Sequence, residues 1–266
     1  MNRSRSTALV LALLTRAALA DAPPDAEFLA AKVVAVQPTD LLAQDGSARA
    51  QALAAMVVAP LDRTSVRALA ALGLLALPER EEGFGFAGAS DAGDVVALQA
   101  GYVVGRIATH ASAGDLASVR TMGRWVEARQ GALDFLSPTA LEALTSFVGG
   151  ALDGRVDAGS VVALLQSTES GIASGPARGH GYFAAGVWAG MALLGSASET
   201  GRANVLSVGT SLIAMLEQDA AFDASDRTIA DRLKTIAREL SSDGPRLQAI
   251  AEEGRALMAI RADSEQ

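Results

Sequence analysis

Gly101-Tyr102-Val103-Val104-Gly105 and Gly186-Val187-Trp188-Ala189-Gly190 carry the reading of the fold. Each places two glycines four residues apart inside a long run with no Pro. A Gly in a helix interior costs about 1 kcal/mol relative to Ala. That cost is offset where a second backbone must come close, because small residues four apart make a flat stripe on one helix face. Two models follow: the two helices pack on each other near a pseudo-twofold contact, or each receives a neighbour from its own part of the chain.

The two stretches are offset by 85 residues, and further correspondences continue downstream. Gly123 corresponds to Gly209, Phe135 to Phe222, Ser137 to Ser225 and Leu141 to Ile229, with the offset growing by one at each connecting region. Small loop insertions in a duplicated four-helix unit produce such a drift.

Helical signals surround both stretches. The expected helices cover 94–113, 115–130, 138–152, 157–173, 181–197, 202–218, 226–240 and 245–261. Ser137-Pro138 puts a capping side chain before a Pro at the first helical position, and Gly244-Pro245 reads similarly. Ile229, Leu233, Ile236 and Leu240 follow an amphipathic period, as do Leu247, Ile250, Leu257 and Ile260.

Upstream, helices are expected over 25–36, 40–58 and from Asp62 or Thr64 to Leu77. A Gly-rich loop, Glu79 to Gly93, follows, with Phe84 and Phe86 as its anchors. The expectation is an all-α bundle or array of about eleven helices. Its parts are an N-terminal region (21–93) of helices and loop, helical unit 1 (94–173) and helical unit 2 (174–266).

The first twenty residues read as an export signal. Arg3 and Arg5 precede the apolar core Thr7 to Leu14, and Ala18-Leu19-Ala20 is a small-x-small cleavage site. Cleavage near Ala20 places the mature chain in the periplasm or outside the cell. Ala22 is a second possible site, and the core is too short to span a bilayer. The uncharged run from Gly179 to Ser198 also invites a membrane reading. Its Gly and Ser content and the lack of a basic flank favour a buried central helix.

Composition limits the function classes. The chain of 266 residues has 22 Lys and Arg against 30 Asp and Glu, a net charge of -8. Losing Arg3, Arg5 and Arg16 with the signal brings it near -11. Nucleic acid and anionic lipid are therefore not expected as partners, since both need clustered positive charge. There is no cysteine, which excludes disulfides, thiolate metal sites and cysteine nucleophiles.

Catalytic patterns fail on inspection. Gly88-Ala89-Ser90-Asp91-Ala92 has the wrong last residue for a serine elbow. Gly83 to Gly88 has nearly a dinucleotide-loop spacing but follows no strand. Neither His110 nor His180 has a His or carboxylate at helical spacing, so no metal and no cofactor is expected. Asp91 with Asp94, and Asp223 with Asp226, read as helix caps.

Ligand contact is expected from Tyr102 and Arg106, one helical turn apart, and from Arg178, His180 and Tyr182 near a helix start, where a carboxylate or phosphate would fit. Glu127 is a candidate partner for Arg106. Helix packing is expected from Gly101, Gly105, Gly186 and Gly190. The function expected is non-enzymatic binding of a partner protein or small ligand in a cleft between the units. The alternative is an enzyme or metal-dependent protein using His180, Tyr182 and Arg106.

Overall fold

The computed structural model describes residues 53, 68–69, 71–74, 93–112, 114–127, 136–171, 177–195, 199–218 and 224–260. Among these it is all-helical, with no strand. The helices are α1 (Gly93–Ser112), α2 (Leu116–Glu127), α3 (Pro138–Leu152), α4 (Ala158–Ser170), α5 (Ala177–Gly195), α6 (Glu199–Glu217), α7 (Ala224–Ser241) and α8 (Leu247–Met258). The export signal, nearly all of the three upstream helices and the Gly-rich loop before Gly93 lie outside the described residues. Of the few residues described there, Leu53, Leu69 and Leu74 are buried in the common core.

Local chemistry sets several helix ends. Ser137 caps α3 by accepting from the Ala140 amide at 3.2 Å, with Pro138 at the first turn. Asp157 and Ser160 form a reciprocal capping box on α4. Asp115 accepts from the Ser118 amide at the start of α2. Gly114 and Gly154 adopt φ of +70° and +74° after α1 and α3, where L side chains are strained.

Several expected boundaries differ, among them the start of α6, which lies at Glu199 and not at 202. α5 begins at Ala177, so His180 belongs to its first turn rather than to a Gly-rich turn before it. α7 begins at Ala224, which puts Ser225 inside the helix instead of at its cap. α8 begins at Leu247, two residues after Pro245, and its capping residue Arg246 makes no side-chain cap bond.

α1 and α5 form the centre. Residues 97–111 of α1 and 181–193 of α5 are buried on every face. A Cβ on Gly101 would lie 2.9 Å from the Val187 amide nitrogen, and one on Gly105 would lie 2.5 Å from the Val187 carbonyl oxygen. In return, a Cβ on Gly186 would lie 2.9 Å from the Tyr102 amide nitrogen, and one on Gly190 would lie 3.3 Å from the Arg106 amide nitrogen. The four glycines thus lie where the two helices pack on each other.

Residue numbers rise together across this contact, so α1 and α5 run parallel. The contact is also reciprocal. Gly101 meets Phe183 and Val187, and Gly186 meets Leu98 and Tyr102. Every one of these pairs maps onto its mirror at the offset of 85.

The remaining helices wrap this pair. α1 to α4 pack each on the next, as do α5 to α8. α8 also packs against α1, and α4 against α5. α7 buries Ile229, Leu233, Ile236 and Leu240 and exposes Arg227, Asp231, Lys234 and Arg238. α8 buries Leu247, Ile250 and Leu257, while Ile260 lies past its end and is partly buried.

Candidate functional site: a buried polar stripe on α1

Gln99, Tyr102, Arg106 and His110 are spaced three or four apart on α1, so they share one face. All four are buried, and Arg106 is only 1% exposed. The face turns toward α8. Gln99 Nε2 donates to the carbonyls of Met258 and Ile260, both at 3.0 Å, and so closes the C-terminal end of α8. Tyr102 lies against Gly254 of α8, where a Cβ would sit 2.7 Å from the phenol oxygen. The Arg106 guanidinium carbon is 6.0 Å from the centre of the Tyr102 ring, at the edge of cation–π range.

Burial pushes the Arg106 guanidinium below its ordinary range. Tyr102 opposes that shift, and the like charge of Arg255 on α8 adds to it. Glu127 is exposed at the end of α2, which corrects its expected pairing with the buried Arg106.

His110 lies in the last turn of α1. Its Nδ1 is 3.0 Å from Asp115 Oδ2 across the Gly114 turn, while Asp115 Oδ1 caps α2. One carboxylate thus ties the end of α1 to the start of α2. The His110 side chain is fully buried, and its Nε2 has no hydrogen-bond partner. Burial, then the Arg106 charge, lowers the His110 pKa to about 4, while Asp115 pulls it the other way. Near neutral pH His110 is therefore neutral. With Nδ1–H donating to Asp115, Nε2 presents its lone pair to the interior.

The five expected contact residues divide between places. Tyr102 and Arg106 lie together on the stripe. The Tyr182 hydroxyl donates to the buried Asp226 in the first turn of α7. Asp226 therefore does more than favour a helix start. His180 is partly buried in the first turn of α5, and two residues from Tyr182 it leaves the helix on a different face. Arg178 falls in that turn as well, and its side chain lies outside the described ones. Tyr182 sits eight residues before Gly190, which packs at the level of Arg106, so about 12 Å of helix separates the two levels.

A second feature was not read from the sequence. A shallow groove of about 420 Å³ lies between the start of α3 and the end of α4, lined by Ser137, Thr139, Gln166, Ser167, Ser170 and Gly171. Its lining is uncharged, and the Ser137 amide donates to the Gly171 carbonyl at 2.6 Å, closing one end. Among the described residues no group of three or more His, Cys, Asp or Glu is placed to hold a metal ion. None of the described helices is long and apolar enough to cross a membrane, and α5 is a central core helix as expected.

No family model matches this chain, and neither a curated protein nor a solved structure matches it. Among the described residues, fold and site together define an all-helical body centred on a parallel, glycine-mediated helix pair, with a buried polar stripe on one of the two helices.

Proposed function

We propose that the chain is an exported, non-enzymatic binding protein built from two related four-helix units, α1–α4 and α5–α8. Its ligand or partner is held between the units, on the flank where α1 faces α8. The signal-like start and Ala18-Leu19-Ala20 support export to the periplasm or beyond. The reciprocal contact at one constant offset, and the same order of helix neighbours in each half, support a duplication.

One observation carries the binding reading. At the offset of 85, the α5 residues matching Gln99, Tyr102, Arg106 and His110 are Ala184, Val187, Met191 and Gly195. α5 makes the same central contact without a polar stripe. Burying an ion costs several kcal/mol unless it is well compensated. The shared central contact does not itself require Arg106 or His110, and a polar face carried by α1 alone fits recognition of a polar ligand. Catalysis by His180, Tyr182 and Arg106 would need those groups to converge, and the helix levels described above separate Tyr182 from Arg106.

Native mass spectrometry of the protein recovered from its own host tests this reading. The expected result is a chain beginning at Asp21, with extra mass that leaves on denaturation. A chain retaining Met1 overturns export, and a bare chain in every preparation overturns stable ligand binding.

A further inference from the structure

His110 and Asp115 close the joint between α1 and α2 with two bonds. The His110 ring meets the Asp115 carboxylate at 3.0 Å, and the Asp115 amide donates to the His110 carbonyl at 2.9 Å. Between them Gly114 holds its left-handed φ of +70°, with its amide donating to the Ala111 carbonyl at 3.0 Å. The same carboxylate caps α2 through the Ser118 amide. Little else covers the joint on the outside, where Leu116 and Ala117 are exposed.

The other ring nitrogen sets what the joint tolerates. His110 is fully buried, and its Nε2 has no partner. On the neutral ring that is one unpaired lone pair. On an imidazolium it becomes an unpaired N–H that carries charge, which is far more costly to bury. A ring flip gives no relief, because whichever nitrogen faces Asp115 leaves the other facing the interior. The way to water lies past Asp115, whose side chain is 20% exposed where that of His110 is 0%.

Among the described residues, the charges that act on His110 are Arg106, one turn back on α1, and Asp115. α2 adds Arg120, Arg124 and Glu127, and α3 adds Glu142, all exposed. α4 carries the buried Glu169. Arg178 and His180 lie in the first turn of α5, at the end of that parallel helix away from His110. On α8, Arg255 acts on Arg106, while Arg246, just before its start, is bound to Glu239.

We propose that the α1–α2 joint is an acid-sensitive latch. Solvent protonates His110 on Nε2, the imidazolium swings out past Asp115 to water, and the start of α2 parts from the last turn of α1 about Gly114. The glycine contact of α1 with α5 lies farther back on α1 and stays closed, and α2 keeps its packing on α3. The closed ring titrates near pH 4, because burial and then the Arg106 charge oppose protonation, whereas the opened ring titrates near its ordinary 6.5. Asp115 stays charged across that window. Burial works against its ionisation, but the bonds from Ser118 and then His110 outweigh it and hold the carboxyl below its ordinary range. The ratio of open to closed joint therefore rises tenfold for each pH unit below 6.5 and levels off near pH 4, about 300-fold in all.

Hydrogen exchange of the full chain, followed by mass spectrometry and corrected for the intrinsic effect of pH, tests the latch. Exchange that proceeds by local opening is indifferent to low urea, whereas exchange by global unfolding is hastened by it. The expected result is a loss of protection of about 100-fold over residues 110–119 between pH 6.5 and 4.5. Low urea leaves those rates unchanged, and residues 183–193 of α5 stay protected far longer. In His110→Gln the corrected rates over the joint no longer depend on pH. Asp115→Asn keeps a capping side chain on α2 but removes the charge that holds the ring, and it loosens the joint at pH 7 while leaving α5 protected. Joint amides that exchange only together with those of α5, and with the same urea dependence, overturn the proposal. So do a His110→Gln joint that loosens in acid as the parent does, and an Asp115→Asn joint as protected at pH 7 as the parent's.

Discussion

His110 stays neutral in the folded chain down to about pH 4, whereas its ordinary value is 6.5. As pH falls between those values, the unfolded chain takes up a proton that the folded chain refuses. Stability from this group is thus complete above about pH 6.5, declines through that window and stops declining near pH 4. The loss is ~3 kcal/mol, from the size of the shift. Urea melts at pH 7 and pH 4.5 are expected to show that slope in the parent and a flatter one in His110→Gln. Equal slopes would contradict it. The Tyr182–Asp226 bond gives a second expectation at this scale. Tyr182→Phe takes a donor from a buried carboxylate and should cost about 1–3 kcal/mol in the same melts, and no loss would contradict the bond. At this scale the sequence was legible only in part. Tyr102 and Arg106 were found because helical spacing exposes them. The spacing of His110 from Arg106 was equally visible, but its carboxylate lies five residues on, across a turn, where helical periodicity gives no signal.

Helices are fixed by their ends and faces, and both were largely readable. Prolines, capping side chains and the amphipathic periods of α7 and α8 located all eight described helices. The misplaced starts have a common cause. Gly179-His180-Gly181 resembles a turn, but at that point α5 is buried against α6, and Gly181 makes room for Met215. Tertiary packing there outweighs local propensity. Pro245 lies too early to start α8 because Arg246 is turned back to Glu239, whose carboxylate it binds through Nε at 2.9 Å. The cap on α3 is the cleanest local device. Ser137→Ala should cost about 1 kcal/mol, because the Ala140 amide loses its acceptor. Thermal melts that leave the variant unchanged would contradict that role.

Over the whole molecule, the legible feature was the pair of glycine stripes, and the illegible one was what they meet. Sequence alone left open whether the two helices pack together or within separate units. The structure puts them backbone to backbone and parallel, which fits a chain that reverses at each of four connections between first and fifth helix. The expected cleft between units is closed along this contact, since the glycines leave no space there. Beside it lies the flank where α1 faces α8, which carries the polar stripe. The offset of 85, and with it the lack of a charge opposite Arg106, was legible in the sequence, whereas the helix that the stripe packs against was not.

The parallel backbone contact of α1 and α5 is the claim on which the rest depends, and a pair of Gly→Ala variants tests it most directly. A Cβ on Gly186 meets Leu98 and Tyr102 backbone, which has nowhere to go, whereas Gly149 in α3 faces open space with nothing within 4 Å. Urea denaturation is predicted to show Gly186→Ala destabilised by about 2–3 kcal/mol or more from overpacking. Gly149→Ala should gain up to about 1 kcal/mol from helix propensity. A Gly186→Ala protein as stable as its parent, or stabilised like Gly149→Ala, would contradict the central contact.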